Sequence, residues 1–106
     1  MIDLHLHTTA SDGRCTPIEL VELASAAGLR VMAVTDHDTT ASVADVQAAA
    51  RARGIDAITG IEITAVLDGR DVHMLGYFVD TANAEFQRVL AAQREALYRE
   101  VADYTL

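Results

Sequence analysis

Apolar and polar positions alternate along the chain in segments that predict strands and helices in turn. The first segment has period two, which places Leu4 and Leu6 on one face of a strand and turns its polar residues to the other. Residues 31–34 form a continuous apolar run, which is typical of a strand buried on both faces. The four predicted strands cover residues 2–7, 31–34, 56–66 and 71–78.

Three helices are predicted between and after these strands. Thr16, Pro17 and Glu19 form a helix start, with a capping threonine, proline at the first helical position and a glutamate that completes a capping box. Gly28 is expected to end this helix, and a second helix is predicted over about 41–53. The buried stripe of the first helix is predicted to comprise Leu20, Leu23, Ala24 and Ala27. The buried stripe of the third helix is predicted to comprise Phe86, Leu90, Leu97, Val101 and Tyr104.

The last two strands are predicted to form a hairpin, because Asp68-Gly69 between them is a strong turn signal. A two-residue turn at this point pairs Thr64 with His73, and a four-residue loop keeps the same register. Glu62 and His73 then lie on one face as diagonal neighbours. The other face is predicted to be the core side, and it collects Ile61, Ile63, Ala65, Leu67, Val72 and Met74.

Composition indicates one acidic globular domain. The 106 residues are 51% hydrophobic and carry a net charge of −8, which argues against nucleic-acid binding by charge alone. Phosphate chemistry is still possible if divalent cations reverse the local field. The single cysteine, Cys15, excludes an intramolecular disulfide. No signal peptide or bilayer-long apolar run is visible, so we expect a cytoplasmic protein that does not bind membranes.

Histidines and carboxylates follow the predicted strands. His5 and His7 are two apart on one strand, so both rings project from the same face, a spacing that suits two ligands of one ion. Asp12 lies in the loop that leaves this strand, and His37 follows the next strand. Carboxyl ends of parallel strands are where α/β proteins place their sites. Any one of these histidines alone would more simply be structural, but the combination favours a metal site.

Some of the acidic residues have structural alternatives. Asp12 precedes a glycine and would serve equally as a turn residue. Asp36 and Asp38 flank His37, so they either orient its ring or cap the following helix. Glu62 in an apolar strand favours a ligand role, since an unpaired buried carboxylate is costly. Neither a Ser–His–Asp arrangement nor a Gly-rich phosphate loop is present.

Four segments resemble, in order, the amino-terminal motifs of the PHP family, which is named after polymerase and histidinol phosphatase. They are His5-Leu6-His7-Thr8 with Ser11-Asp12-Gly13, Thr35-Asp36-His37-Asp38, Gly60-Ile61-Glu62-Ile63, and His73-Met74-Leu75-Gly76-Tyr77. The resemblance implies a distorted (β/α)7 TIM-like barrel that hydrolyses phosphoesters with up to three divalent metal ions (Mn, Zn, Fe or Mg). The implied substrate is a small phosphorylated molecule, a nucleotide or a nucleic-acid end.

The resemblance also implies six metal ligands: His5, His7, Asp12, His37, Glu62 and His73. The two strand histidines would hold one metal with Glu62, which would share a third metal with His73. Asp12 and His37 would serve the second metal, and they are the expected catalytic residues. A bridging water would be deprotonated by two metals and attack phosphorus.

The family's later His-Pro-x-Arg and Asp-x-His motifs are absent, and such barrels need roughly 200 residues or more. We therefore expect an α/β fold in which residues 1–106 form the amino-terminal part of one barrel, with parallel strands and one inserted hairpin. A non-catalytic PHP-like scaffold or metal-binding module is the alternative function. Amidohydrolase-type cleavage of a C–N bond shares the H-x-H motif, but the chain has no lysine for a carbamylated bridge.

Overall fold

The computed structural model describes the backbone of residues 1–105 and the side chains of residues 1–97. Its elements are, in order, β1 (Ile2–Leu6), α1 (Pro17–Ala26), β2 (Val31–Val34), α2 (Val43–Ala52), β3 (Asp56–Leu67), β4 (Arg70–Tyr77) and α3 (Ala84–Thr105). The strands form one mixed sheet in the order β1-β2-β3-β4, with the first three parallel and β4 antiparallel to β3. The predicted α/β order is therefore confirmed. No helix of the described part combines the length and apolar character needed to cross a membrane.

The two short helices pack on the parallel part of the sheet. Their shared core is built from Val21, Ala24, Met32, Val34, Val46, Ala50 and Ile55. The capping box at the start of α1 is present as predicted, with the Thr16 hydroxyl accepting from the Glu19 N–H and the Glu19 carboxylate accepting from the Thr16 N–H. These hydrogen bonds, the second above all, hold the pKa of Glu19 below its ordinary value.

The buried face of α1 differs from the prediction. Val21 and Ala24 are buried, whereas Leu23 is 59% exposed and Ala27 is also exposed. The helix carries apolar residues on most of its circumference, so the spacing alone could not select the face that meets α2 and the sheet. Contact with α2, a tertiary effect, decides the orientation instead.

The hairpin register agrees with the prediction, with Leu67 opposite Arg70 and Thr64 opposite His73. Its apolar face, however, is only partly core. Ile61 is fully buried, but the distal positions Leu67, Val72 and Met74 are exposed. The reason is that residues 56–59 of β3 pair with β2, whereas the rest of β3 pairs with β4 and extends beyond the helical layer.

Helix α3 covers the near part of the hairpin. Leu90 is buried there, and Phe86 and Leu97 are half-buried, so the predicted stripe is confirmed over these three positions. The side chains of the two remaining stripe positions, Val101 and Tyr104, lie outside the described residues. Polar residues of α3 also contact the loop that follows β2.

Tyr77 joins the two edges of the sheet. β1 and β4 are the edge strands, yet the Tyr77 hydroxyl donates a 2.7 Å hydrogen bond to the carbonyl oxygen of Leu4. Only a curled sheet brings its edge strands within reach of one side chain. The four strands therefore form a half-barrel whose concave side faces the candidate site.

We expect Tyr77→Phe to lower the free energy of unfolding by about 1 kcal/mol, because the substitution removes this hydrogen bond and leaves the ring in place. Urea unfolding followed by circular dichroism measures the change from the shift of the midpoint at an unchanged slope. Tyr77→Leu, which also removes the ring, should cost more. Equal midpoints for wild type and Tyr77→Phe would show that the hydroxyl contributes nothing to holding the edges together.

Candidate metal centre

Glu62 lies at the centre of a cluster of histidines inside the half-barrel. Its carboxylate is buried and is hydrogen-bonded to two ring nitrogens, with His5 Nε2 2.7 Å from Oε1 and His73 Nδ1 2.5 Å from Oε2. Nε2 of His7 lies 3.4 Å from Oε1, and Nδ1 of His37 lies 3.5 Å from Oε2. The chain has four histidines, and all four therefore surround one carboxylate.

The rings of these histidines also touch one another. The rings of His7 and His37 are stacked with centroids 4.6 Å apart and planes 8° from parallel. The ring of His5 meets that of His7 edge-on at 5.1 Å, and the ring of His73 meets that of His37 edge-on at 5.5 Å. The four imidazoles thus line one continuous surface around Glu62.

Asp12 completes the cluster from the rim. Its Oδ2 lies 3.1 Å from His37 Nε2, and its Oδ1 lies 3.6 Å from His7 Nδ1. The Asp12 side chain is 67% exposed, whereas the Glu62 side chain is 6% exposed. The site therefore has a buried inner end at the Glu62 carboxylate, flanked by the half-exposed His5 and His73, and an exposed outer end at Asp12.

The backbone fixes His37 next to Glu62. These two residues form a parallel bridge beyond the end of β2, with the Glu62 N–H donating to Asp36 O and the Asp38 N–H donating to Glu62 O. Asp38 adopts a positive φ of 56°, and its carboxylate accepts from the Thr64 N–H. Asp38 thus serves the backbone of β3, and neither of its predicted roles, orienting His37 or capping a helix, is seen.

The pKa of Glu62 reflects two opposing effects. Burial acts to raise it, but hydrogen bonds from His73 and His5 and the charge of nearby His37 outweigh burial, so the pKa lies below its ordinary value. The carboxylate is therefore ionised at neutral pH and can act as an acceptor on both oxygens. An ionised, buried carboxylate among imidazoles is a suitable ligand for a divalent cation.

Three overlapping groups of these residues have the geometry to hold an ion. Each consists of three side chains whose ligand atoms lie within 4.8 Å of one another. The groups are His5, His7 and Glu62; His7, Asp12 and His37; and His37, Glu62 and His73. All six predicted ligands are thus brought together, and the two hairpin residues share one face as the register predicts.

His7 gives a direct indication that the cluster suits a metal. Its Nδ1 is shielded from solvent and has no hydrogen-bond partner among the described residues. A buried polar nitrogen without a partner is costly, and coordination to a cation would satisfy it. Imidazole nitrogen and carboxylate oxygen together suit first-row divalent ions such as zinc, manganese or iron. The residues present therefore fit a metal centre.

Helix α3 contributes contacts to the site that the sequence did not reveal. Gln87 donates to Thr40 Oγ1, Arg94 donates to Asp38 O, and Gln93 donates to Thr64 O. The first two acceptors, the Thr40 hydroxyl and the Asp38 carbonyl oxygen, lie in the loop after His37. For Gln93 the sequence does contain a signal. The residue falls at helical spacing on the stripe of Phe86, Leu90 and Leu97, which indicates that it faces the same side of the helix as they do.

Comparison with known proteins identifies the family. The family profile described as PHP domain matches residues 3–104. The chain belongs to the PHP-domain family. Among its PHP relatives, a 5'-3' exoribonuclease from Haemophilus influenzae is 42% identical over 87% of this chain and 34% of its own length. A 3',5'-nucleoside bisphosphate phosphatase from Chromobacterium violaceum is 38% identical over 89% of this chain and 33% of its own.

Solved structures agree with this PHP assignment. A protein from Bifidobacterium adolescentis described as a metal-dependent phosphoesterase superposes with a TM-score of 0.86 at 41% identity, covering 92% of this chain and 34% of that one. A Chromobacterium violaceum structure described as an amidohydrolase with bound sulfate and no metal gives a TM-score of 0.90 at 35% identity, covering 96% of this chain and 36% of that one. This chain thus spans about a third of the length of these four proteins.

Proposed function

We propose that this chain is the amino-terminal part of a PHP-type phosphoesterase and supplies the ligands of its metal centre. The observation that carries the proposal is the convergence of four imidazoles and two carboxylates into three overlapping groups around Glu62. The nucleotide and RNA chemistry named for the relatives, together with the PHP match, supports phosphate-ester hydrolysis as the reaction. The rest of a (β/α)7 barrel would lie outside residues 1–106.

The proposed ligands divide between the inner and outer ends of the site. His5, His7 and Glu62 would hold one divalent ion, and Glu62 with His73 and His37 would hold another. Asp12 and His37 would serve an ion at the exposed rim, on the side from which substrate can approach. When bound, such ions lower the pKa of a coordinated water and neutralise charge that develops on the phosphoryl group. Manganese, zinc, iron and magnesium are the candidate ions.

We assign the catalytic roles to Asp12 and His37 because of where they lie. Asp12 is the most exposed of the six side chains, and its carboxylate is in contact distance of His37. The two residues would orient the outer ion next to a bound phosphate, while the Glu62 carboxylate itself is buried. The stacked rings of His7 and His37 hold these two imidazoles in a fixed relative orientation.

The proposed substrate is a small phosphorylated molecule such as a nucleotide, or the phosphate end of a nucleic acid. The substrates for which these two relatives are named, RNA and a nucleoside bisphosphate, both carry phosphate esters on the sugar. A net charge of −8 gives the chain no electrostatic attraction for a long phosphate backbone. Recognition would therefore rest on the phosphate held at the metal centre.

Metal binding by the chain itself tests the proposal. We expect the folded, metal-free chain to bind more than one equivalent of manganese or zinc in calorimetry, with release of protons, since ligands must be deprotonated to coordinate. Chelation with EDTA should remove the metal and readdition should restore it. A chain that is folded by circular dichroism yet binds neither ion at concentrations near its own would contradict the proposal.

A metal-binding scaffold is the second candidate, favoured by the fact that the clusters around Glu62 account for metal binding but not, by themselves, for hydrolysis. Hydrolysis assays separate the two functions. The metal-loaded chain and a version extended to the length of the relatives are assayed with p-nitrophenyl phosphate and a 3',5'-nucleoside bisphosphate. Turnover that EDTA abolishes supports the phosphoesterase, whereas metal binding without turnover in both proteins supports the scaffold.

A further inference from the structure

Asp36 is the most heavily hydrogen-bonded carboxylate of the site region, although it is not among the candidate ligands. The residue is 1% exposed. Its Oδ1 accepts from the Thr8 N–H at 2.7 Å and the Ser11 hydroxyl at 2.9 Å. Its Oδ2 accepts from the Thr8 hydroxyl at 2.8 Å and the Ser42 hydroxyl at 2.6 Å. Both oxygens are therefore fully engaged by protein donors and not available to a cation.

Two of the three partners of Asp36 are adjacent to candidate ligands in the chain. Thr8 follows His7, and Ser11 precedes Asp12, while Asp36 itself precedes His37. The carboxylate thus ties the loop after β1 to the end of β2, the two segments that carry the outer part of the centre. Across this junction, Asp12 Oδ2 and His37 Nε2 lie 3.1 Å apart.

Ser42 shows that this network is favoured over a local alternative. Ser42 occupies the N-cap position of α2, where a serine hydroxyl normally accepts a backbone N–H of the helix, but it makes no such bond. An N-cap bond is worth about 1 kcal/mol. The hydroxyl instead donates to Asp36. A local capping rule broken in favour of a contact outside the helix is typical of functional sites.

We propose that Asp36 is a positioning residue that sets the spacing between Asp12 and His37 in the outer metal site. The inference rests on the proposed metal centre. Burial of a carboxylate is costly unless its acceptors are satisfied, and here four donors satisfy it while joining two loops. Asp36 thereby holds the loop of Asp12 against the strand end that carries His37, without touching the ion.

Graded variants test the role of Asp36. Ser11→Ala removes one donor from the loop of Asp12, and Asp36→Asn changes the acceptor at constant shape. Because the Thr8 N–H can only donate, the amide oxygen must take the place of Oδ1. The NH2 group then takes the place of Oδ2 and faces the hydroxyls of Thr8 and Ser42. We expect each variant to weaken metal binding at one site by about 10- to 100-fold, the range typical of lost supporting hydrogen bonds. Binding at the remaining sites should stay unchanged.

Thr59→Val is the matched control. The Thr59 hydroxyl donates to Val79 O, so this variant also loses one side-chain hydrogen bond at nearly constant shape, but away from the network. Calorimetric titration with manganese gives the affinity of each site, and urea unfolding gives the stability. If Ser11→Ala and Thr59→Val lose similar stability and both keep every metal affinity, the positioning role is wrong.

A readout without metal separates this inference from the proposed function. In the metal-free chain, imidazole nitrogen chemical shifts report the surroundings of each ring. We expect Ser11→Ala to change the shifts of His7 and His37 and to leave those of His73 unchanged. Absence of metal binding in the wild type would overturn the proposed function, whereas unaltered shifts of His7 and His37 would overturn the role of Asp36. Where Asp36→Asn fails to fold, Ser11→Ala decides the question.

Discussion

Glu62→Gln is expected to lower the affinity for divalent metal more than about 100-fold, beyond the loss typical of supporting residues. Glu62 belongs to two of the three candidate groups, and its carboxylate lies within 3.5 Å of a ring nitrogen of every histidine. Glutamine keeps the shape but replaces one acceptor oxygen by an NH2 group. The NH2 group cannot coordinate a cation, and its N–H would point at the ring nitrogen of His5 or His73.

The measurement is metal content and calorimetric affinity of the purified variant, with circular dichroism to establish folding. Asp71→Asn is the matched control, because Asp71 is an exposed residue of the same hairpin and its substitution removes the same charge. It should bind metal like the wild type. If Glu62→Gln retained the wild-type stoichiometry and affinity while folded, the metal centre would have to lie elsewhere.

The lowered pKa of Glu62 adds a pH dependence in the metal-free chain. A carboxyl whose pKa is lower in the folded state contributes stability above its unfolded pKa, and this contribution disappears as pH falls through the folded value. The stability difference between wild type and Glu62→Gln should therefore be present above the unfolded pKa of the glutamate and shrink as the pH falls below it. Urea unfolding at a series of pH values measures this trend.

The parts of the fold that the sequence predicts are those set by local signals. The capping box at Thr16 and the hairpin turn at Asp68-Gly69 specify their elements through contacts within a few residues. The turn in particular fixes the register over the whole hairpin. That register places Glu62 and His73 on one face, so the relative placement of two of the six candidate ligands follows from a two-residue turn.

The parts that the sequence did not predict depend on contacts between distant segments. Leu23 is exposed because the packing of α1 on α2 selects among several apolar faces. The sequence predicts that Asp36 orients His37 or caps a helix, yet its partners are Thr8, Ser11 and Ser42, of which the first two are more than twenty residues away. No spacing rule links residues in separate loops, so such partners become visible only when the sheet is assembled.

Gly13→Ala is expected to disrupt the outer part of the centre and to lower the free energy of unfolding by about 1–3 kcal/mol, the range for overpacking. A Cβ at this position would lie 2.3 Å from the carbonyl oxygen of His7 and 2.7 Å from the Thr8 nitrogen. These are backbone atoms, so they cannot move aside as a flexible side chain would. The loop carrying Asp12 would have to shift away from His7.

Gly76→Ala separates this steric effect from the general effect of replacing glycine. A Cβ at Gly76 would meet side-chain atoms of Ile61 and Val79 at 3.4 and 3.5 Å, which is ordinary contact. Reduced freedom of the unfolded chain should offset any small strain there, by about 0.4–1 kcal/mol. Metal affinity and urea unfolding are measured for both variants.

The two glycine variants together distinguish a required close approach from a tolerant position. Gly13 has no positive φ that alanine would resist, so its requirement comes from the space between the loop and His7 alone. Because His7 and Asp12 share one candidate group with His37, a shift of this loop should weaken the outer site while the group of His37, Glu62 and His73 keeps its affinity. Wild-type binding at all sites in a folded Gly13→Ala protein would show that Asp12 does not contribute to the centre.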